Sequence, residues 1–310
     1  MIPTRTDAEA PEPKTLPRPA ALSEVKGWFD NADQVLFDWV LSRQQRLGIK
    51  GDLLEMGAYM GKSAAFLGSY LRPGETFTVC DLFDSPAVDA HNSVEMQRSY
   101  STLTRRAFEA NYRAFHDELP TIVQGPTSTL KGRLEPGTFR FIHIDASHLY
   151  EHVHGDIAIA REALSPDGVV ALDDYRAEHT PGVAAATWEA VLLKGLRPIC
   201  LSGRKFYGTW GDPEPVQNDL IEWLGKQRGS WHEVQTIAGH PVVRVSAKNL
   251  PPAPQPVSRY ARSAASAPAA GRAGTGRGPA RRQARLRKLA KELLPPIIAR
   301  PLAARLRRRR

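Results

Sequence analysis

Short apolar runs alternate with segments of helical periodicity through most of the chain. The runs are DLLEM (52–56), TFTVCD (76–81), TIVQG (121–125), FRFIHID (139–145) and GVVALDD (168–174), followed by RPICL (197–201) and KFYGTW (205–210). Strands that are apolar throughout are typical of a parallel sheet that helices cover on both faces. The alternation therefore predicts an α/β fold with a doubly wound, mostly parallel, Rossmann-like sheet.

We expect this domain to occupy residues 22–247, because the composition changes on either side of it. Residues 1–21 are rich in Pro, Ala and charge and are expected to be disordered. Residues 86–117 are too long for a plain crossover, so they predict a helical cap or insertion over the site. Residues 248–310 form a basic tail rich in Pro, Ala and Arg, in which residues 281–294 have the pattern of an amphipathic helix.

The charge of the chain is unevenly distributed. Residues 251–310 carry sixteen Lys and Arg and a single acid, Glu292, which leaves a net −6 on the rest of a chain whose total is +9. An acidic body argues against a nucleic-acid-binding core, whereas the basic tail suits peripheral contact with an anionic membrane. The N-terminus lacks the apolar core of a signal peptide, and no run is long enough to span a bilayer. We therefore expect a cytoplasmic protein, with possible contact at the inner membrane face.

A glycine loop, LLEMGAYMGKSA (53–64), follows the first apolar run. A strand, a glycine turn and a helix start are typical of nucleotide-type sites. A phosphate-binding P-loop needs four residues between its first glycine and Gly-Lys-Ser, and only three separate Gly57 from Gly61. The dinucleotide fingerprint needs a second glycine where Tyr59 stands. Both interpretations are therefore weak.

The pattern Glu-x-Gly-x-x-x-Gly resembles motif I of the class I S-adenosylmethionine-dependent methyltransferases. That resemblance implies that Glu55 faces the ammonium group of the cofactor or supports the loop. Asp81 ends the next strand, where an acid can accept hydrogen bonds from both ribose hydroxyls, with Asp84 as the alternative. The turn VQGPTST (123–129) matches the position where the family places a small hydroxyl residue near the adenine, which Thr127 fits best and Ser128 next. The predicted cofactor-binding residues are Glu55, Gly57, Ala58, Gly61, Ser63, Asp81, Thr127 and Asp145.

Three acids end the two strands that a doubly wound sheet places side by side. Asp145 ends the fourth run, and Asp173 and Asp174 end the fifth. Neighbouring carboxylates repel unless a cation neutralises them, and oxygen ligands suit a hard divalent ion such as Mg²⁺. His148 follows Asp145 by three residues, so it can face the same crevice as a general base. The sequence thus predicts Asp145, Asp173 and Asp174 as metal ligands and His148 as the catalytic residue.

The segment IDASHLYEHVHGDIAIAREALSPDGVVALDDY (144–175) resembles metal-dependent small-molecule O-methyltransferases, above all the macrocin O-methyltransferase-like group that acts on sugar hydroxyls. The resemblance implies the same ligand and base roles, and it implies a structural role for Asp156. The expected activity is methyl transfer from S-adenosylmethionine, with Mg²⁺, to a hydroxyl of a sugar, glycolipid or other small molecule in a bacterial cell.

Three other functions stay open on sequence alone. A P-loop-like phosphotransferase would use the Gly57 loop, although its spacing is short. A metal-dependent hydrolase would use Asp145, His148 and Asp173 but would leave Asp81 unexplained. A non-catalytic methyltransferase-like scaffold would be tethered by the basic tail. An oligomer is compatible with each of these functions.

Overall fold

The computed structural model describes residues 16–85, 103–247 and 249–261. The strands in these residues are β1 (Asp52–Met56), β2 (Phe77–Asp81), β3 (Thr121–Gln124), β4 (Phe139–Ile144), β5 (Leu164–Leu172), β6 (Arg197–Leu201), β7 (Phe206–Thr209), β8 (Trp231–Ile237) and β9 (His240–Ser246). The helices are α1 (Asn31–Arg46), α2 (Lys62–Gly68), α3 (Arg105–Arg113), α4 (Tyr150–Ala163), α5 (Pro181–Leu193) and α6 (Glu214–Lys226). Two 3-10 helices lie at Leu22–Glu24 and Thr127–Leu130.

The described strands form one sheet in the order β3-β2-β1-β4-β5-β7-β6-β9-β8. The first five of these strands are parallel, β7 runs antiparallel between β5 and β6, and β8 and β9 form an antiparallel pair at the edge. The predicted α/β fold is therefore confirmed. The strand order changes direction between β1 and β4, and in open α/β sheets ligands bind in the crevice at such a switch point.

Consecutive side chains of the central strands point to opposite faces, so each face supports its own apolar cluster. Phe141 belongs to the cluster that includes Phe37 of α1 and Phe66 of α2, whereas Ile142 belongs to the cluster that includes Ile157 of α4. This alternation explains why the runs are apolar throughout. The thiols of Cys80 and Cys200 are free and buried.

The predicted cap is described only in part. Helix α3 begins after Thr104, whose hydroxyl accepts a hydrogen bond from the Ala107 amide at 3.1 Å. Phe108 of α3 is completely buried against the rest of the domain. Residues 86–102 lie outside the described residues, so the prediction that this segment covers the site stays a prediction.

The last part of the domain contains elements that the sequence analysis did not delimit. Helix α6 buries Val216, Leu220 and Leu224, which recur at helical spacing. Strands β8 and β9 then extend the sheet beyond β6. A helical pattern of apolar residues was thus present, but it lay beyond the strand–helix alternation on which the prediction depended.

The packed chain continues past the predicted boundary at residue 247. Leu250 and Ala253 are buried in the apolar cluster that α1 and α2 also join. The Ser258 hydroxyl donates a hydrogen bond to the Pro19 carbonyl at 2.6 Å, and Arg259 pairs with Asp117 at 3.0 Å. The predicted amphipathic helix at 281–294 lies outside the described residues. Within the described part of the chain, no helix is both long and apolar enough to cross a membrane.

Candidate active site

A cavity of about 770 Å³ opens at the carboxyl ends of β1, β2, β4 and β5. Its volume is in the range of small-molecule sites. Most of the predicted site residues line it, namely Gly57, Ala58, Ser63, Asp81, Thr127, Asp145, His148, Asp173 and Asp174. The fold therefore brings together residues that are more than a hundred positions apart in the sequence.

The glycines of the loop after β1 are required by close packing. Gly57 has φ +82°, and a Cβ added there would lie 2.0 Å from the Asp145 carbonyl oxygen. Gly61 has φ +84°, and its added Cβ would lie 2.9 Å from the Phe108 ring. Positive φ favours glycine, and these contacts leave no space for a side chain. The loop thus packs directly against the backbone at the end of β4.

Asp81 holds the same loop from the other side. One of its oxygens accepts hydrogen bonds from the amides of Ala58 at 2.7 Å and Tyr59 at 2.9 Å, and the other accepts one from Phe83 at 2.7 Å. Burial raises the pKa of the Asp81 carboxyl in spite of these three donors. Asp81 lines the cavity as expected of a ribose ligand, but its hydrogen bonds in the protein are with backbone amides, two of them in the loop. Its ribose role stays a prediction.

Glu55 does not line the cavity. Its side chain is fully buried beneath the loop, where Oε1 lies 2.8 Å from Nδ1 of His143. Its other oxygen, Oε2, has no hydrogen-bond partner among the described residues, and both predicted roles of Glu55, the ammonium contact and the support of the loop, stay predictions. Gly61 is likewise not among the lining residues and acts through the loop conformation.

A buried lysine that the sequence analysis missed lies beneath the acids. Lys205 Nζ is 3.0 Å from Nε2 of His143, and it forms an ion pair with the Asp173 carboxylate. Side chains from four strands or strand ends are thereby linked in the order Glu55, His143, Lys205, Asp173. The lysine and Asp173 side chains are 1% and 6% exposed, so the pair is shielded from solvent and each charge depends on the other.

The lysine also explains the protonation of this cluster. Burial would raise the pKa of Asp173, but the neighbouring ammonium of Lys205 holds it below its ordinary value. Burial would lower the pKa of Lys205, but Asp173, Asp145 and Asp33 raise it instead. Burial and the Asp173 charge raise the pKa of Asp145. The cluster is thus a paired core formed by Lys205 and Asp173, with Asp145 beside it.

Asp174 adopts a conformation that is unusual for a residue with a side chain. Its φ is +54°, in the left-handed region, and its Oδ1 is buried without a hydrogen-bond partner among the described residues. Arg204 Nη1 lies 3.5 Å from Oδ1, and His148 Nε2 lies 3.6 Å from Oδ2. Strained backbone of this kind clusters at functional sites.

The structure distinguishes the four histidines of residues 141–154. The His148 ring lines the cavity between Asp174 and the edge of the His179 ring, whose centroid is 5.7 Å away. His143 is buried within β4. His152 Nδ1 lies 3.0 Å from the Ser147 hydroxyl, and His154 faces Glu189 at 3.6 Å.

His143, Asp145 and Asp173 place potential ligand atoms within 4.8 Å of one another. Lys205 already contacts two of the three, so this group holds an internal cation. All three acids of the predicted triad line the cavity, but Asp173 is already paired with Lys205, whereas Asp174 Oδ1 has no hydrogen-bond partner among the described residues. This donor set fits a hard divalent ion. The requirement for such an ion stays a prediction.

Lys62 and Ser63 begin α2 at the cavity wall. The Lys62 ammonium points toward the Gly27 carbonyl, 3.4 Å away. Thr127, the predicted adenine neighbour, lines the cavity, and its side chain lowers the pKa of the Asp156 carboxyl against the effect of burial.

The family model described as a methyltransferase domain matches residues 54–175, which is less than half of the chain. The match runs from β1 through the end of β5 and contains the glycine loop, Asp81 and the strand-end acids. The predicted resemblance to S-adenosylmethionine-dependent methyltransferases is thereby confirmed at the level of the domain. No curated protein sequence matches the chain.

Solved structures with a similar fold include several methyltransferases. The O-methyltransferase NovP is 18% identical, with 58% of this chain and 79% of that chain covered and a TM-score of 0.48. PaMTH1 from Podospora anserina, solved with S-adenosylhomocysteine, is 16% identical over 63% and 89%, with a TM-score of 0.43. MycE of the mycinamycin pathway, solved with Mg, S-adenosylhomocysteine and mycinamycin VI, is 15% identical over 64% and 56%, with a TM-score of 0.40. These are distant likenesses.

Proposed function

We propose that this chain, which carries a methyltransferase domain at residues 54–175, transfers a methyl group from S-adenosylmethionine to a hydroxyl of a sugar or other small molecule. The observation that carries the proposal is the position of His148 and Asp174. Both lie at the carboxyl ends of the strands, and both line the cavity that the Gly57 loop lines. A cofactor on the loop and a hydroxyl beside His148 would therefore share one enclosed space, where orientation accounts for much of the rate.

His148 is the proposed general base. Its Nε2 faces the Asp174 carboxylate, 3.6 Å away, which favours the imidazolium that forms when the ring accepts the hydroxyl proton. The acceptor oxygen would then attack the methyl carbon while the carbon–sulfur bond breaks, leaving S-adenosylhomocysteine. His143 is buried against Glu55 and Lys205, His152 Nδ1 lies 3.0 Å from the Ser147 hydroxyl, and His154 faces Glu189 at 3.6 Å.

Asp145 and Asp174 are the proposed primary ligands of a divalent ion, with Asp173 held beside them by Lys205. Bound there, the ion would lower the pKa of the acceptor hydroxyl. The residues of the chain position the reactants and accept the proton. The carboxylates orient the acceptor oxygen, the loop orients the sulfonium, and His148 holds the proton.

A phosphotransferase fits the cavity less well. Asp145, Asp173 and Asp174 would repel the phosphates of a nucleotide, and the Lys62 ammonium is directed at the Gly27 carbonyl. The loop also lacks one residue of P-loop spacing. Contact of the basic tail with an anionic membrane stays a prediction, because residues 262–310 are not described.

The proposal is tested by comparing His148→Asn with His154→Asn in the full-length protein. S-adenosylhomocysteine binding is measured by calorimetry, and turnover is measured as S-adenosylhomocysteine released from S-adenosylmethionine with Mg²⁺ and a panel of glycosides and catechols. We expect His148→Asn to lower kcat by about 10²-fold or more with nearly unchanged cofactor affinity. His154→Asn is the matched control: His154 also lines the cavity but faces Glu189 at 3.6 Å, so its replacement should leave kcat nearly unchanged.

Full turnover by His148→Asn would contradict the base assignment. Failure of the wild-type protein to bind S-adenosylhomocysteine would contradict the cofactor assignment itself. Removal of divalent ions with EDTA, followed by readdition of Mg²⁺, then tests whether the ion is required for turnover.

A further inference from the structure

The Lys205 ammonium lies among three side chains that could together hold a metal ion. His143, Asp145 and Asp173 each offer a ligand atom within 4.8 Å of the other two. Lys205 Nζ is 3.0 Å from Nε2 of His143 and forms an ion pair with Asp173. Two of the three side chains therefore already contact a cation, and that cation belongs to the chain itself.

Glu55 completes the likeness to a metal site. An ammonium group has donors only, so Nε2 of His143 must accept from Lys205, and the ring proton is then on Nδ1. Nδ1 donates to Oε1 of Glu55 at 2.8 Å. Histidines that bind a metal have the same arrangement, with one ring nitrogen on the ion and the other donating to a carboxylate. The lone pair that an ion would need is thus taken by Lys205.

The ammonium is fixed in this position. The Lys205 side chain is 1% exposed, and Nζ lies 5.9 Å from the centroids of the Phe29 and Phe37 rings. The Lys205 amide donates to the Ser202 hydroxyl at 2.8 Å, and this hydroxyl donates to Asp33 at 2.7 Å. Because buried rings and hydrogen bonds enclose it, the lysine has no path by which to rotate into solvent and make room for an ion.

The preceding residue offers a contrast. Arg204 also lies beside an acid, with Nη1 3.5 Å from Oδ1 of Asp174, but its side chain is 49% exposed. A long, exposed side chain can turn into water when an ion binds nearby. Two cations adjacent in sequence therefore differ in kind, since Arg204 can give way and Lys205 cannot.

We propose that Lys205 determines which kind of ion this site accepts. By occupying the position between His143 and Asp173, it removes the buried imidazole from the available ligands. Carboxylate oxygens remain, and these favour Mg²⁺ or Mn²⁺, whereas a set of imidazole and carboxylates suits Zn²⁺. Lys205 is a selecting residue and does not touch the substrate. The inference rests on the ion of the proposed function but does not depend on methyl transfer.

The test replaces Lys205 with leucine in the full-length protein, because leucine is uncharged and leaves the ammonium position free. Calorimetry measures Zn²⁺ and Mg²⁺ affinity, and Co²⁺ absorption reports nitrogen ligation. We expect Lys205→Leu to bind Zn²⁺ at least about a hundredfold more tightly than the wild-type protein, since it loses a repelling charge and gains a nitrogen ligand. The Mg²⁺ affinity should change by less than about tenfold. Adding His143→Asn should abolish the gain in Zn²⁺ affinity, which distinguishes this site from surface histidines.

The matched control is Arg204→Leu, which removes the same charge from the adjacent residue. It should raise the affinities for Zn²⁺ and Mg²⁺ alike, by about tenfold or less, without a nitrogen-ligand spectrum. Equal gains in Zn²⁺ affinity for Arg204→Leu and Lys205→Leu would show that only net charge matters, and this would overturn the inference.

Two further measurements apply if Lys205→Leu does not fold. Lys205→Gln keeps a donor toward Asp173 without the charge and should show the same preference for Zn²⁺ to a smaller degree. In His148→Asn, which removes the histidine beside Asp174, one equivalent of Co²⁺ should give an oxygen-ligand spectrum because His143 stays paired with Lys205.

Nitrogen ligation by His143 in the presence of Lys205, or an unchanged Zn²⁺ affinity in a folded Lys205→Leu protein, would overturn the inference. If the wild-type protein binds no divalent ion, the ion of the proposed function fails. A Zn²⁺ site gained only by Lys205→Leu would then still support exclusion by the lysine.

Discussion

The two ends of the cavity are built by different means. The cofactor loop depends on backbone: two glycines with positive φ lie against neighbouring elements, and three amides donate to Asp81. The acid end depends on charge, because Lys205 and His143 lie under the carboxylate of Asp173. The loop should therefore be sensitive to added atoms, and the acid end to a change in the number of charges.

The largest effect should come from Gly57→Ala. The new Cβ would lie 2.0 Å from the Asp145 carbonyl oxygen, so the loop and the end of β4 must separate. We expect at least about 3 kcal/mol of lost stability and loss of S-adenosylhomocysteine binding, measured by urea unfolding and calorimetry. Gly74→Ala is the control, since Gly74 has φ +84° and open space around it. It should cost only about 1–2 kcal/mol, the cost of a left-handed conformation. Similar costs for the two variants would contradict the steric argument.

The second-largest effect should come from removing the positive charge of Lys205 at the acid end of the cavity. Lys205→Met leaves the Asp173 carboxylate buried without its partner, and the expected loss of unfolding free energy is about 3–5 kcal/mol. Adding Asp173→Asn removes the uncompensated charge and should restore at least half of that loss. Urea unfolding of the four members of this cycle gives the coupling energy. Strictly additive effects would mean that the two side chains do not act as a pair.

The smallest effect should come from Asp81→Asn. The amide keeps one acceptor oxygen but loses the charge that the three backbone amides contact, so we expect about 1–2 kcal/mol of lost stability. Cofactor affinity should fall by about tenfold because the loop is less well held. Calorimetry with S-adenosylhomocysteine measures this, and unchanged affinity would contradict both the bracing role and the predicted ribose contact.

The sequence predicted those features that depend on short stretches of chain, namely the apolar strands and the acids that end them. The runs that became β1, β2, β4 and β5 are largely apolar, and parallel strands bring Asp145, Asp173 and Asp174 to one edge of the sheet. Glu55 was harder to place, since a residue at a strand end can face either the crevice or the layer beneath it. Its side chain is buried, and its role toward the cofactor stays a prediction.

Lys205 could not be found in the same way. It precedes β7, and β7 inserts antiparallel between β5 and β6, so its contact with Asp173 depends on a strand order that periodicity does not encode. The lysine at the start of KFYGTW looked like an ordinary strand end.

The packing of residues 249–261 determines how the basic tail can be removed without damage to the domain. A shortened chain that ends at residue 247 would lose the buried Leu250 and the hydrogen bond from Ser258 to Pro19. Apolar surface on α1 and the N-terminal segment would then be open to solvent and to self-association. A chain that ends after residue 261 keeps these contacts, so effects of the tail can be separated from those of a damaged edge.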